Sequence, residues 1–203
     1  MSHPKTIEYF YAAHSAYAYL GAWELKRIAD EAGAKVIHRP FDFAPVMVAA
    51  GGKGFKERSK AHLSYFFGRE MVRWAEWRGL PMIRHRPTYH DNPLGLANGA
   101  IIAAGDKAGP FSRAILQAHW RDDADLADVG TVGRLAEEVG LDAAAIIEAA
   151  QSAEVQAQHK ANTDEAIARS VFGSPTYFVD GDMFYGQDRL FMVERALRIS
   201  FGA

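Results

Sequence analysis

The sequence predicts an α/β domain that is split in two by a long helical insertion. A strand, a helix and a second strand are predicted within the first forty residues, and two strands and a helix within the last thirty. Between them, from Gly54 to about Ser170, apolar residues recur almost only at helical intervals. The 203 residues are enough for one domain with such an insertion. We assign residues 1–45 and 171–203 to the α/β domain and residues 46–170 to the helical insertion.

The N-terminal segment predicts a parallel βαβ unit. Residues from Thr6 to Ala12 are rich in β-branched and aromatic types and are few enough for one strand. A helical pattern starts at Ser15 and stops at Gly33, and Lys35 to Pro40 are predicted to form a second strand. Two strands joined by a helix favour parallel pairing with a right-handed crossover.

The helical insertion divides into segments at clusters of Gly, Pro and Asp. The predicted helices lie near residues 55–78, 94–107, 110–121, 129–139, 142–151 and 153–170. Thr131 and Asp142 are candidate N-caps. Aromatic residues at helical spacing in the first segment predict a buried core face, and a pocket wall for an aromatic substrate is the alternative: Phe66, Phe67, Trp74 and Trp77.

The C-terminal segment predicts a hairpin followed by a helix. Strands are predicted from Pro175 to Asp180 and from Met183 to Tyr185, with the turn at Gly181-Asp182. A final helix is predicted to open at Gln187 or Asp188. Its apolar positions are Leu190, Phe191, Val193, Ala196, Leu197 and Ile199.

Composition excludes several classes of function. The net charge of −2 argues against a nucleic-acid-binding surface. The chain has no cysteine, so it cannot form disulfides, use a thiol nucleophile or build a Cys-x-x-Cys redox pair. Any thiol chemistry must use the thiol of a ligand. We find neither a secretory signal nor an apolar run long enough to cross a bilayer, so we expect a soluble, cytoplasmic protein.

Three short segments contain candidate site residues, and each also has a structural interpretation. Ser15 lies at the strand-to-helix junction, where it caps the helix or helps to hold an anion at the helix N-terminus. Ser174-Pro175 precedes a strand, where the proline ends a loop or, as a cis bond, exposes a backbone edge. Gln187 and Asp188 lie at a helix start, where Asp188 caps the helix or binds an ammonium group.

Taken together, the three segments resemble the thioredoxin-like family of kappa-class glutathione transferases and 2-hydroxychromene-2-carboxylate isomerases. The resemblance spans the whole chain, including the helical insertion, and it implies a thioredoxin-like domain. It also implies glutathione as cofactor, a homodimer, and Ser15 as the residue that hydrogen-bonds the glutathione thiolate.

The resemblance implies a glutathione site around the cis-proline loop and the last helix. The Ser174 backbone is expected to pair with the cysteinyl part of glutathione beside a cis Pro175 bond. The segment Tyr185, Gly186, Gln187 and Asp188 is expected to hold the γ-glutamyl end.

The sequence departs from the family pattern in two places, of which the first concerns the rigidity of the loop and the second the substrate contacts. Ala16 follows Ser15 where the family usually has proline, and Gly51-Gly52-Lys53-Gly54 replaces the common Asn-x-Pro-Pro segment. The candidate substrate contacts are Tyr17, Lys53, Lys60 and Asn92.

The eight histidines raise the alternative of a metal site, formed by His85 and His90 or by His38 with either. No His-Glu-x-x-His motif or paired spacing on one helix supports it, so we predict no metal.

The resemblance implies isomerisation of 2-hydroxychromene-2-carboxylate, or of a related intermediate of aromatic catabolism, by reversible addition of the glutathione thiolate. Two alternatives stay open at this point. One is a transferase that conjugates glutathione to an electrophilic substrate. The other is a thioredoxin-like module without activity that binds peptides along the Ser174-Pro175 edge.

Overall fold

In the computed structural model, which describes residues 5–52 and 57–202, four strands form one mixed sheet. The strands are β1 (Thr6–Tyr11), β2 (Lys35–Pro40), β3 (Thr176–Val179) and β4 (Asp182–Tyr185), in the order β2-β1-β3-β4. β1 pairs with β2 in parallel and with β3 antiparallel, and β3 and β4 form an antiparallel hairpin. The predicted βαβ unit and C-terminal ββα unit therefore share one sheet.

Most helices of the described residues lie between β2 and β3, where the periodicity predicts them. The helices are α1 (Ala16–Ala32), α2 (Phe43–Ala49), α3 (Lys60–Leu63), α4 (Met71–Arg78), α5 (Gly95–Ala103), α6 (Ala108–Asp122), α7 (Val129–Glu138), α8 (Ala143–Gln151), α9 (Ala153–Ala168) and α10 (Leu190–Arg198). A π-helical segment, Ser64–Glu70, joins α3 to α4, and a 3-10 turn, Gln187–Arg189, leads into α10. In the part of the chain that the structure describes, no helix has the length and apolar character needed to cross a membrane. The proposed boundaries of the insertion stay a prediction.

One of the two predicted N-caps is confirmed. The Asp142 side chain accepts the N–H of Ala145 at 2.9 Å at the start of α8. The prediction for Thr131 was wrong, because α7 begins earlier, with Asp128 in extended backbone as its N-cap. The Asp128 carboxylate accepts the Thr131 N–H at 2.7 Å, so Thr131 is the third residue of the helix.

The C-terminal hairpin turns one residue earlier than predicted. Asp180 and Gly181 occupy the turn with φ of 52° and 86°, and Asp182 already pairs with Val179. A two-residue turn of this kind needs positive φ at both central positions, which Asp-Gly supplies more easily than Gly-Asp. Two of the apolar positions predicted for the final helix are exposed: Phe191 by 62%, and Ile199, which directly follows α10, by 66%.

The helix α2 was not predicted. It begins after Asp42 and carries Pro45 in its first turn. Proline is tolerated there because the first N–H groups of a helix have no partner within the helix.

The predicted burial of Trp77 was also wrong, since this side chain is 81% exposed on α4.

The first strand is buried on both of its faces. Tyr9 stacks on Tyr11 and Tyr177, with ring centroids 4.0 and 5.2 Å apart, on the face that meets the main core. Phe10, on the opposite face, packs edge-on against Phe178 in a second, smaller cluster. Because β1 is held from both sides, the residues that follow it leave the sheet at a fixed position.

A buried asparagine ties the helical segment to the end of β1. Asn98 on α5 is fully buried, and its Oδ1 accepts the N–H of Ala13 at 3.1 Å. Its Nδ2 donates to the carbonyl of Phe41 at 3.2 Å. One side chain thus satisfies backbone groups that follow both β1 and β2.

We expect Asn98→Ala to destabilise the protein, because it leaves the buried Ala13 N–H without an acceptor and removes the hydrogen bond from Nδ2 to the Phe41 carbonyl. An unpaired buried group costs about 1–3 kcal/mol and a lost hydrogen bond about 1 kcal/mol, so the free energy of unfolding should fall by about 2–4 kcal/mol in a urea titration. Asn92→Ala, at an exposed amide that donates to Asp125, is the matched control, and its loss should stay below about 1 kcal/mol. Equal losses for the two variants would contradict the role of Asn98.

Candidate active site

The turn from β1 to α1 is held by side chains from two distant segments besides Asn98. The Ala12 N–H donates to the Ser174 hydroxyl oxygen at 3.0 Å. The Trp120 indole N–H donates to the His14 carbonyl at 2.9 Å. We call residues 12–15 the junction and the segment around Ser174-Pro175 the cis-proline loop. The cis-proline loop, α5 and α6 all meet at the junction.

Ser15 is both a helix cap and a neighbour of the cis-proline loop. Its Oγ accepts the N–H of Ala18 at 3.2 Å, which confirms the capping interpretation. The same hydroxyl donates to the Ser174 carbonyl at 3.1 Å. The two interpretations of Ser15 are therefore compatible: the cap fixes the oxygen, and the hydroxyl proton points towards the second predicted segment.

The cis-proline loop has the predicted geometry. The Ser174-Pro175 bond is cis, and the Pro175 carbonyl accepts the Gly186 N–H at 2.9 Å. Within residues 5–52 and 57–202 the Ser174 N–H finds no hydrogen-bond acceptor. This N–H lies beside a carbonyl that Ser15 already reaches, so the loop offers an extended ligand a backbone donor.

The segment before α10 places its side chains in opposite directions. Gly186 has φ of 96°, and a Cβ there would come within 2.5 Å of the Asp188 carboxylate, so glycine is required. The Gln187 side chain is buried, and its Oε1 accepts a hydrogen bond from Arg78 at 3.3 Å, so that side chain is directed away from any surface ligand. The Asp188 side chain is 43% exposed and pairs with Arg189. Tyr185 is exposed at the edge of β4.

Tyr17 connects the first turn of α1 with the π-helical segment. Its hydroxyl donates to the Phe66 carbonyl at 2.6 Å, and the two rings lie 4.8 Å apart. Burial raises the pKa of the Tyr17 phenol, and the charges of Glu70 and Asp188 raise it further. Tyr17 and Phe66 are thus neighbours in the structure.

The other predicted substrate contacts lie on segments outside the junction. Lys60 is exposed at the first position of α3, and Asn92 is exposed and donates to Asp125 at 2.9 Å. Lys53 lies outside the described residues.

A cluster of three histidines lies at the junction and was not predicted from the sequence. His14 directly precedes Ser15, and its ring lies 4.5 Å from that of His90. The His90 Nδ1 is 2.9 Å from the His119 Nε2. Burial lowers the pKa of His14 to about 3 and that of His90 to about 4, with further lowering by the neighbouring imidazoles, so these rings are neutral near neutral pH.

The histidine pairings suggested by the sequence do not form. His85 is exposed and faces Asp123, while His38 shares a hydrogen bond with the Tyr11 hydroxyl at 2.9 Å. No group of three or more metal-binding side chains is found among the residues that the structure describes. Positions 14, 90 and 119 have no common spacing, so their contact arises only from tertiary packing.

The family of the chain follows from a comparison that covers nearly all of it. The family model of the DsbA-like thioredoxin domain matches residues 6–198. The chain belongs to this family. The predicted thioredoxin-like fold with its helical insertion is therefore confirmed.

Two curated relatives of the chain and one solved structure carry the same name. The 2-hydroxychromene-2-carboxylate isomerase of Sphingobium xenophagum is 30% identical over 95% of this chain and 98% of its own. The enzyme of the same name from Pseudomonas sp. (strain C18) is 27% identical over 94% of this chain and 89% of its own. A solved structure of 2-hydroxychromene-2-carboxylate isomerase matches with a TM-score of 0.82 and 26% identity, over 95% of this chain and 94% of that one. The resemblance to 2-hydroxychromene-2-carboxylate isomerases is confirmed.

The neutral histidines predict how the stability of this DsbA-like domain depends on pH. An unfolded histidine takes up a proton near pH 6.5, whereas His14, His38 and His90 resist protonation down to about 3, about 4 and about 4. Below about pH 6.5 the unfolded chain thus binds more protons than the folded protein, so acidification destabilises the fold. Each such histidine contributes up to about 1.4 kcal/mol per pH unit.

We expect the free energy of unfolding to fall steadily between about pH 7 and about pH 5.5 in urea titrations. The His90→Gln variant should show a shallower slope, because one titrating group is gone. Added salt should not change the slope of the unfolding free energy against pH, because the slope is caused mainly by burial rather than by exposed charges. A flat profile in this range would contradict the assignment.

Proposed function

We propose that this chain is a glutathione-dependent isomerase that acts on 2-hydroxychromene-2-carboxylate or a related intermediate of aromatic catabolism. The observation that carries the proposal is the position of Ser15, at the N-terminus of α1 and within hydrogen-bond distance of the Ser174 carbonyl. The names of the relatives support the reaction class. The homodimer and the cytoplasmic location stay predictions.

The residues at the site fit glutathione. The chain has no cysteine, so a reacting sulfur has to come from a ligand. The Ser174 N–H, which has no acceptor among the described residues, suits the peptide carbonyl of a cysteinyl unit. The exposed Asp188 carboxylate suits the ammonium group of a γ-glutamyl end. Because Gln187 is directed inward to Arg78, we assign it only a backbone contact.

When bound, glutathione would supply a thiolate for reversible addition to the conjugated substrate, which would allow rotation about the former double bond. The protein stabilises that anion with the unpaired N–H groups of the first turn of α1 and with the Ser15 hydroxyl. For this contact the Ser15 proton turns from the Ser174 carbonyl to the sulfur, while Oγ keeps the Ala18 N–H. Tyr17 and Phe66 form an aromatic wall beside the same helix end.

The reaction class is tested by incubating the purified protein with 2-hydroxychromene-2-carboxylate in the presence and absence of glutathione. We expect isomerisation that depends on glutathione and consumes none of it. Net consumption of glutathione with a halogenated nitroarene, without isomerisation of the chromene, would favour the transferase instead. Failure of glutathione to bind at all would favour the peptide-binding module.

We expect Ser15→Ala to lower the isomerisation rate by about a hundredfold, the scale of losing one anion-stabilising donor. The lost cap should cost about 1 kcal/mol of folding free energy. Ser152→Ala is a closely matched control, because Ser152 also accepts the N–H three residues ahead, from Val155, and donates to a carbonyl, that of Ala149. It should cost similar stability and no activity. Equal rates for the two variants would leave Ser15 with a structural role only.

We expect Asp188→Asn to weaken glutathione binding by about 1–3 kcal/mol in calorimetric titrations, because a charged pair is lost while the shape is kept. Cysteinylglycine, which lacks the γ-glutamyl group, should bind the wild type and the variant about equally. Asp182→Asn, at an exposed position of β4, is the control and should bind glutathione like the wild type. Unchanged glutathione affinity in Asp188→Asn would remove Asp188 from the site.

A further inference from the structure

The protonation of the histidine cluster is fixed at one end by a backbone carbonyl. The His119 Nδ1 lies 3.1 Å from the Ala124 carbonyl oxygen. A carbonyl oxygen can only accept, so the His119 Nδ1 carries a proton. His119 is buried, which lowers its pKa and favours the neutral ring near neutral pH. Its Nε2 therefore holds a lone pair.

The second histidine takes its protonation from the first. The His90 Nδ1 and the His119 Nε2 are 2.9 Å apart, and the lone pair on His119 needs a donor. The His90 Nδ1 therefore carries the proton, and since this ring is also neutral, the His90 Nε2 holds a lone pair. The hydrogen bond to the Ala124 carbonyl thus fixes the tautomer of His119, and the hydrogen bond between the two rings fixes the tautomer of His90.

The Nε2 atom of His90 is accessible and lies beside the candidate site. The ring is only partly buried, and no described residue hydrogen-bonds its Nε2, which is also absent from the buried unpaired atoms. The ring packs on His14, which directly precedes Ser15. The charged groups around the cluster are Arg86 and Asp91, which pair with each other, and Asp123 and Asp125, which face His119.

We propose that the His90 Nε2 accepts a hydrogen bond from a hydroxyl group of the substrate, and that His119 is the positioning residue that keeps this nitrogen unprotonated. The chemical class of the ligand, an aromatic carboxylate with a hydroxyl group, rests on the proposed function. A fixed acceptor at this place selects substrates that carry the hydroxyl, because an analogue without it leaves the acceptor unpaired.

Nitrogen-15 NMR of the imidazole rings tests the relay without any ligand. We expect both His90 and His119 to carry their proton on Nδ1 near neutral pH. His119→Phe keeps an aromatic ring against His90 but removes its partner, so His90 should lose the single tautomer in that variant. A proton on the Nε2 of His90 in the wild type would overturn the proposal.

Binding of two probes tests the acceptor itself. The probes are 2-hydroxycinnamate and cinnamate, aromatic carboxylates that differ in the hydroxyl group. We expect the wild type, saturated with glutathione, to bind the hydroxylated probe about tenfold more tightly. His90→Phe should abolish that preference, and His90→Gln, which keeps an acceptor oxygen near the position of Nε2, should retain part of it. His85→Phe, an exposed histidine of the same loop, is the control and should keep the full preference.

The proposal would be overturned if His90→Phe still preferred the hydroxylated probe, or if the wild type showed no preference. Neither measurement needs turnover. If the tautomers and the preference are found but the chromene is not isomerised, the proposed function fails while the hydrogen-bond acceptor stands. If isomerisation is found without the preference, the proposed function stands while the role of His90 fails.

Discussion

The structure depends on how the junction between β1 and α1 is held. Backbone groups of three consecutive residues, Ala12 to His14, each bond a side chain from a different part of the chain: Ser174, Asn98 and Trp120. Ser15 completes the junction by bonding back to the cis-proline loop. A loop held from three sides loses little further freedom when a ligand binds, so the helix end behind it is preorganised for an anion.

The same packing keeps the junction nearly free of side-chain charge. Burial makes His14 and His90 neutral, so a negative charge at Ser15 would meet directed N–H and O–H dipoles rather than an imidazolium. The chain has no cysteine, so the thioredoxin-like fold cannot perform disulfide exchange with its own residues. We propose that the junction instead holds a sulfur that a ligand brings.

Local patterns were enough to predict β1, α1 and β2 to within one residue, because strand composition, the cap Ser15 and Gly33 in left-handed backbone agree. Side-chain direction was a different matter. Gln187 is a polar residue at a position typical of a ligand contact, but its side chain is turned inward to Arg78. No local sequence pattern distinguishes these two directions of the side chain. The histidine cluster escaped prediction because its members meet only where the loop before α5 and the end of α6 pack against the junction.

We propose that the helix end at Ser15 stabilises a bound thiolate. The most direct measurement is a pH titration of glutathione bound to the saturated protein, followed by the ultraviolet absorbance of the thiolate. We expect the pKa of the bound thiol to lie well below the value of about 8.5 for an ordinary thiol. A bound thiol whose pKa stays at or above that value would contradict stabilisation by this helix end.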